Sequence, residues 1–358
     1  MPRAEQAGAL VDSDPRRGIR CGPSAVRVVG PPFERRSGPS PSSLVQPEIL
    51  LTLSAGSLRP LLAAQDPRCR DVFSLPRFVA RDLGLRGLNL PSDLLSGFGM
   101  PDVERLRDEA DRAHCPVLLL IEETPIDFTD RGALWHRALD RLKRVGLAAS
   151  RLGCPSVAIR VAAPDTDEAF EATAVGVKAM LRELDRYELN VLLAPSPGLT
   201  ETAGRLTDLI KKIGGFRIGS YPSFEHAYAT GELEKTLRKL APYAPAIAAS
   251  VRGFSKSGVH EPYALEACVA CVMEVGYGNT LAIDHLGPPP PAGGRKPKAT
   301  GSAASSSGVS SGVLSGASGA AIAALVADIE QARRILDAAT NVVEPEDEVE
   351  EELVDGEE

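Results

Sequence analysis

The stretch MEVGYGNTLAIDHLG, from Met273 to Gly287, contains the unit from which the chain is built. It predicts the end of a helix, a tight turn around two glycines, and a short apolar strand that ends on an acid, Asp284. An acid at the end of a buried strand is well placed to serve as a ligand or as a catalytic group.

The same alternation of helix and strand runs through the chain before this stretch. Short apolar segments bounded by turn residues predict eight strands: ILLTL (the 50–54 region), 85–90, 117–121, 157–161, 190–194, 216–220, 246–251 and 280–284. Amphipathic stretches such as 102–113 and 133–152 separate most of them, and 320–339 would form the helix after the eighth strand. This alternation predicts an α/β protein, a (β/α)8 TIM barrel. An open doubly wound sheet is the alternative, but the first strand is followed by SAGSLRP, which lacks the glycine spacing of a phosphate loop.

Composition separates the barrel, 47–343, from its ends. Residues 1–46 are rich in Arg, Pro, Gly and Ser and predict a disordered segment, and 288–319 predict a low-complexity insert. The tail 344–358 holds ten acids and no base, which accounts for the net charge of -8, and would suit a basic partner. The remaining body is nearly neutral, which argues against a nucleic-acid partner. No apolar run is long enough to span a membrane, and the charged first residues do not fit a signal peptide, so we expect a cytoplasmic protein.

Three segments resemble the xylose-isomerase-like sugar phosphate isomerase/epimerase barrels: LAASRLGCPSVAIRV, LAPYAPAIAASVRGF and EVGYGNTLAID. The resemblance covers roughly 47–287 and the last helix. It implies an enzyme in which a divalent metal, held by Glu, Asp, His and Glu at the ends of late strands, polarises a sugar carbonyl while carboxylates move a proton.

The residues at the corresponding positions of this sequence do not supply that ligand set. The fifth strand ends on Ala194, and the sixth and seventh positions fall on Ser223 and Arg252. The acid is retained in kind only at the eighth strand, as Asp284. Alanine offers no donor atom, and a guanidinium brings positive charge to the place of the cation. The sequence therefore predicts no metal ligands and no cofactor, and we expect Arg252 either to pair with Asp284 or to bind an anion.

Further candidates lie at the predicted ends of other strands. Arg160 could hold a phosphate or a carboxylate, with Glu122 as its ion-pair partner, and Lys256 could join Arg160 and Arg252 in a basic barrel mouth. His226, in the loop after the sixth strand, could carry protons.

The functional prediction has two forms. In the first, the protein is a divergent isomerase or epimerase of a small sugar or sugar phosphate that uses Asp284 as a base and works without the metal. In the second, it is a non-catalytic barrel that binds an anion, a sugar or a protein. An endonuclease-like barrel is the third and weakest alternative, because the chain has only five histidines.

The pair Cys268 and Cys271 has the spacing of a redox or zinc motif. It lies in an apolar helical stretch with no second Cys or His pair nearby in the sequence. We therefore expect both cysteines to be small core residues.

Overall fold

The computed structural model describes residues 49–130, 132–287 and 318–341. Within them lie eight strands: β1 (Leu50–Ser54), β2 (Leu88–Pro91), β3 (Val117–Ile126), β4 (Ser156–Val161), β5 (Asn190–Ala194), β6 (Ile218–Ser220), β7 (Ala246–Val251) and β8 (Thr280–His285). The helices there are α1 (Arg59–Ala64), α2 (Leu75–Arg81), α3 (Met100–Ala113), α4 (Ala133–Leu152), α5 (Asp167–Leu184), α6 (Ala203–Ile213), α7 (Phe224–Ala229), α8 (Leu233–Leu240), α9 (Leu265–Met273) and α10 (Gly319–Thr340). Short 3₁₀ turns span Ala55–Leu58, Val72–Ser74, Ser92–Leu95, Asp185–Tyr187 and Ala241–Tyr243.

All eight strands belong to one parallel sheet in the order β6-β5-β4-β3-β2-β1-β8-β7. First and last strands, β1 and β8, are paired in the middle of this order, as a barrel requires. The sheet curls until its edge strands approach each other, where the Ala248 amide donates to the Pro222 carbonyl at 2.9 Å. The predicted α/β TIM barrel is thereby confirmed, and the open doubly wound sheet was the wrong alternative.

The strands are buried on both faces, which explains their continuous apolar runs. The larger core lies between the sheet and the helices and includes Leu281 and Ile283 of β8. A smaller cluster fills the barrel interior: Leu119, Ile121, Ala158, Leu192, Ala194, Tyr221, Ala246 and Ala248. Half of these side chains are alanine, so the interior is filled by small groups and the polar residues lie above them, at the carboxyl ends of the strands.

The turn in the opening stretch forms as predicted from its glycines. Helix α9 ends at Met273, and Gly276 follows in the left-handed region with φ of +78°. The Tyr277 ring then packs into the core, and its hydroxyl donates to the Thr280 carbonyl at 2.6 Å. This hydrogen bond fixes the start of β8 and thus the position of Asp284 near the carboxyl end of the strand.

Polar side chains cap the helices at the same end of the barrel. Thr166, Thr202 and Ser223 accept hydrogen bonds from the first-turn amides of α5, α6 and α7, and Ser318 caps α10 in the same way. Among the described helices, none is both long and apolar enough to cross a membrane.

The predicted boundaries are tested only in part. The segments 1–46 and 344–358, and the insert as far as residue 317, lie outside the described residues. The last two residues of the predicted insert, Ser318 and Gly319, instead cap and begin α10. Strand β3 extends to Ile126, five residues beyond its predicted end, and so includes both acids of its carboxyl end.

Candidate active site at the barrel mouth

A ring of polar side chains lies on the inner face of the sheet at its carboxyl end. Successive side chains of a strand face opposite sides of the sheet, and the neighbours of these residues belong to the outer core. The inward-facing residues are therefore Ser54 of β1, Asn89 of β2, Glu123 of β3, Arg160 of β4, Ser250 of β7 and Asp284 of β8. Tyr221, directly after β6, belongs to the interior cluster below them. The register confirms neighbours in this ring, because Ser250 pairs with Asp284 and Ser54 with Asn89. We call the six residues of this ring, together with Tyr221, the mouth cluster.

Asp284 lies deep in the mouth cluster, as its position at the end of β8 predicts. Burial raises the pKa of its carboxyl group, and the Ser54 hydroxyl, the Arg160 guanidinium and His285 offset part of that increase. A carboxylate with a raised pKa holds a proton more readily, which is the property of a general base that must both take up and release one.

Arg160 faces the mouth without a carboxylate partner. No Asp or Glu oxygen among the described residues lies within 4.0 Å of its guanidinium, and its Nε is buried without a hydrogen-bond acceptor. Both amide atoms of Asn89 and the Ser250 hydroxyl are also buried, with no hydrogen-bond partner in the described part of the chain. Since buried polar groups are nearly always hydrogen-bonded, these atoms indicate a place where water or a polar ligand binds.

Tyr221 contributes a neutral hydroxyl to the same site. Burial raises the pKa of its phenol, and the Asp284 charge raises it further, so the hydroxyl stays protonated and can donate. Sequence reasoning missed Tyr221 because β6 is only three residues long, and the residue that faces the barrel follows it in SYPSF.

Glu122 is not the partner of Arg160, and the expected pair was wrong. Glu122 points to the outer side of the sheet, where it accepts from Ser92 Oγ at 3.1 Å and lies 3.4 Å from Arg141 Nε. Its neighbour Glu123 faces the mouth instead. Adjacent strand residues face opposite ways, and the continuous apolar run before them hides which one faces inward.

Glu123 carries the second carboxylate of the mouth cluster. It accepts from Arg59 Nη2 at 3.1 Å, while Arg59 also makes two bonds of 2.7 and 2.9 Å to Asp93. Burial raises the pKa of Glu123, and Arg59 and Arg160 oppose that shift. No sequence signal linked Arg59 to this site, since the contact joins elements 64 residues apart.

Arg252 is engaged by another acid and does not pair with Asp284. Its Nε and Nη2 donate to Glu225 Oε1 of α7 at 2.9 and 2.7 Å. The residue of β7 level with Asp284 is Ser250, two positions earlier. Lys256 is exposed, and no contact among the described residues joins it to Arg160 or Arg252. The expected basic mouth therefore reduces to Arg160.

His226 lies on α7 with its ring half-buried, and neither ring nitrogen has a hydrogen-bond partner within the described ranges. Burial lowers its pKa, which favours the neutral ring. No contact with a residue of the mouth cluster is present among the described residues. Cys268 and Cys271 are both buried in α9, and their thiols are free.

The inward-facing residues at the ends of the four late strands are Ala194, Tyr221, Ser250 and Asp284. Ala194 of β5 and Ser250 of β7 carry no charged donor, and Tyr221 after β6 stays protonated, so Asp284 is the one carboxylate among them. The Arg160 guanidinium adds positive charge nearby. Among the described residues, no three His, Cys, Asp or Glu side chains converge in a way that could hold a metal ion.

Comparisons with known proteins agree with this architecture. The sequence matches no protein-family profile and no curated protein. The structure is similar to L-ribulose 3-epimerase, with a TM-score of 0.60 and 13% identity over 82% of this chain and 94% of that one. It is equally similar to D-psicose 3-epimerase in the presence of D-fructose, with a TM-score of 0.60 and 11% identity over 80% and 99%. A xylose isomerase domain-containing protein from Salmonella typhimurium LT2 follows, with a TM-score of 0.57 and 13% identity over 80% and 96%.

These similarities define the class of fold. The chain shares the TIM-barrel fold of these proteins, which is the fold that its sequence resemblance implied. At such low identity the comparison concerns the fold alone, and the chemistry must be argued from the residues of the mouth cluster.

Proposed function

We propose that this protein is a sugar isomerase or epimerase whose acid–base chemistry takes place at the mouth cluster without a divalent metal. The observation that carries the proposal is the arrangement of Asp284, with its raised pKa, opposite the unpaired guanidinium of Arg160. The fold shared with two sugar epimerases supports a small sugar or sugar phosphate as the ligand.

In this proposal Asp284 removes a proton from the carbon next to a sugar carbonyl. The electron pair moves onto the carbonyl oxygen, and the N–H groups of Arg160 and the Tyr221 hydroxyl stabilise the resulting enediolate. For the isomer, the hydroxyl proton of the attacked carbon moves to the former carbonyl oxygen, and a proton is returned to the former carbonyl carbon. For the epimer, a proton is returned to the opposite face of the attacked carbon, and the carbonyl forms again at its original place. Glu123, whose pKa is also raised, is the second residue placed to supply it.

A non-catalytic barrel remains the second candidate, and a specific observation favours it. Arg160 provides a positive charge without a partner, which suits the binding of a phosphate or carboxylate whether or not a reaction follows. The acidic tail 344–358, outside the described residues, would then suit a basic partner in either case.

Proton abstraction can be tested without knowing the substrate. The full chain is incubated in D₂O, with EDTA, with a panel of pentuloses, hexuloses and their phosphates, and exchange at the carbon next to the carbonyl is followed by proton NMR. We expect exchange with at least one sugar, and a rate about 10²- to 10⁴-fold lower in Asp284→Asn. Glu168→Gln is the matched control and should exchange as the wild type does, because Glu168 is an exposed acid at the start of α5 with no ion pair to another described residue.

The two candidates give different results in this experiment. Absence of exchange, together with stabilisation by a sugar phosphate that Arg160→Met abolishes, would replace the enzyme with the binding protein. Exchange that EDTA abolishes and that Mn²⁺ or Mg²⁺ restores would overturn the metal-free mechanism.

A further inference from the structure

A cavity of about 590 Å³ lies outside the barrel, between the outer face of β3 and helices α3 and α4. This volume is in the range of small-molecule sites. The loop 92–99 closes it at the carboxyl end of the sheet, and Glu122 forms part of its floor. The mouth cluster lies on the opposite face of β3, and of its residues only Glu123 also lines this cavity.

Part of the cavity lining carries the guanidinium groups of Arg141 and Arg144 together with the carboxylate of Glu122, which lies 3.4 Å from Arg141 Nε. Glu122 is buried and already accepts from Ser92 Oγ and from the Thr124 amide, at 3.1 and 2.9 Å. Arg141 lies beside it, and its Nε is buried without a hydrogen-bond acceptor. Arg144, three residues further along α4, has no carboxylate within 4.0 Å among the described residues. This part of the lining therefore has unused N–H donors and a net positive charge.

The remaining acids of the lining are engaged by another arginine. Asp93 and Glu123 line it as well, but both are bonded to Arg59. Neither of them forms an ion pair with Arg141 or Arg144 among the described residues.

The rest of the lining is apolar. Leu95, Phe98, Met100, Val103, Val145 and Ala148 form a continuous surface from the loop to α4. The Phe98 ring is stacked on Phe73 at 5.1 Å, so the surface is held in place. Met100 is 37% exposed, which leaves this part of the lining accessible to a ligand from solvent.

We propose that this cavity binds a small amphipathic carboxylate, with its head group on Arg141 and Arg144 and its hydrocarbon chain along the surface from Phe98 to Ala148. A carboxylate can accept two hydrogen bonds from a guanidinium, and the chain gains from removal of its surface from water. This proposal does not rest on the reaction proposed at the mouth cluster, although Glu123 is common to both sites.

The test uses three probes that share one hydrocarbon chain and differ in head charge: octanoate, octanamide and octylammonium. Binding to the full chain is measured by isothermal titration calorimetry. We expect octanoate to bind with one-to-one stoichiometry and the other two to bind at least about tenfold more weakly, because they lack the charge-assisted hydrogen bonds. Arg144→Gln should weaken octanoate by a similar factor, and Ala148→Trp should abolish its binding by filling the cavity.

Arg137→Gln is the matched control, since Arg137 is also an exposed arginine of α4 but does not line the cavity. The Arg144 substitution is exposed and tests the head group even if Ala148→Trp fails to fold, which circular dichroism would show. Failure of octanoate to bind at millimolar concentration would overturn the proposal. Equal binding of octanamide, or a loss in Arg137→Gln as large as that in Arg144→Gln, would overturn it as well.

Discussion

The ion pair between Arg252 and Glu225 gives the sharpest test of how the end of β7 is built. Sequence reasoning makes Arg252 an anion clamp, whereas the structure uses both of its bonded nitrogens on Glu225 Oε1. The side chains are 21% and 27% exposed, and Glu225 Oε2 has no partner of its own. Removal of the guanidinium would leave a largely buried carboxylate without compensation.

The expected cost of Arg252→Met follows from that burial. Breaking a fully buried pair costs about 3–5 kcal/mol, and an exposed pair contributes at most about 1 kcal/mol. At a quarter exposed, we expect a loss of about 1–2 kcal/mol in the free energy of unfolding, after solvent screening is taken into account. A large domain loses about 2–4 °C in melting temperature per kcal/mol, so the melting temperature should fall by about 2–8 °C.

A double-mutant cycle isolates the pair. Arg252→Met, Glu225→Gln and the double variant are unfolded in urea, and we expect the double variant to be more stable than the sum of the single losses predicts. The reasoning is refuted if Arg252→Met unfolds like the wild type. If that variant also loses binding of a sugar phosphate, Arg252 is the clamp that the sequence suggested.

Three further predictions concern the mouth, a loop glycine and the buried thiols. The pKa of Asp284 is raised in the folded state. At a pH above the pKa of this carboxyl in the unfolded state, roughly 4, the folded state therefore binds more protons than the unfolded state. The wild type therefore loses stability as the pH rises through this range. Asp284→Asn should gain stability relative to it at pH 7 but not below roughly pH 4; a pH-independent difference in urea midpoint would contradict this. Gly198→Ala should destabilise by at least about 2 kcal/mol more than Gly215→Ala. Their φ angles are +93° and +91°, but only at Gly198 would a Cβ meet a carbonyl oxygen, at 2.4 Å; equal melting temperatures would refute the clash. Burial raises the pKa of Cys268 to about 12, so this thiol and Cys271 should react with a disulfide reagent at pH 8 only after unfolding. Fast labelling of the native protein, detected by mass spectrometry, would contradict that.

The eight strands could be predicted because each is bounded by turn residues and buried on both faces. The same burial removed the information needed to orient β3. With no alternation of polar and apolar residues before them, Glu122 and Glu123 were indistinguishable in the sequence, and the wrong one was assigned to the mouth. An acid near the end of a barrel strand lies at the carboxyl end of the sheet whichever way the strand is turned. That Asp284 also faces inward follows from the structure, in which Leu281 and Ile283 of β8 face the outer core.

The sequence by itself thus determined the barrel and the position of Asp284 near the end of β8, because these depend on local patterns along the chain. The inward-facing residues at the ends of β6 and β7, Tyr221 and Ser250, were set by the tertiary structure. Only the tertiary structure decided which charges meet. Arg252 pairs with Glu225, and Glu123 with Arg59, across elements 27 and 64 residues apart. Arg160 forms no ion pair within 4.0 Å among the described residues, although Glu123 of the neighbouring strand β3 is near enough for the two charges to affect each other. Such pairings depend on distance and burial in the folded chain, and these are set by sheet curvature and helix packing rather than by any short stretch of sequence.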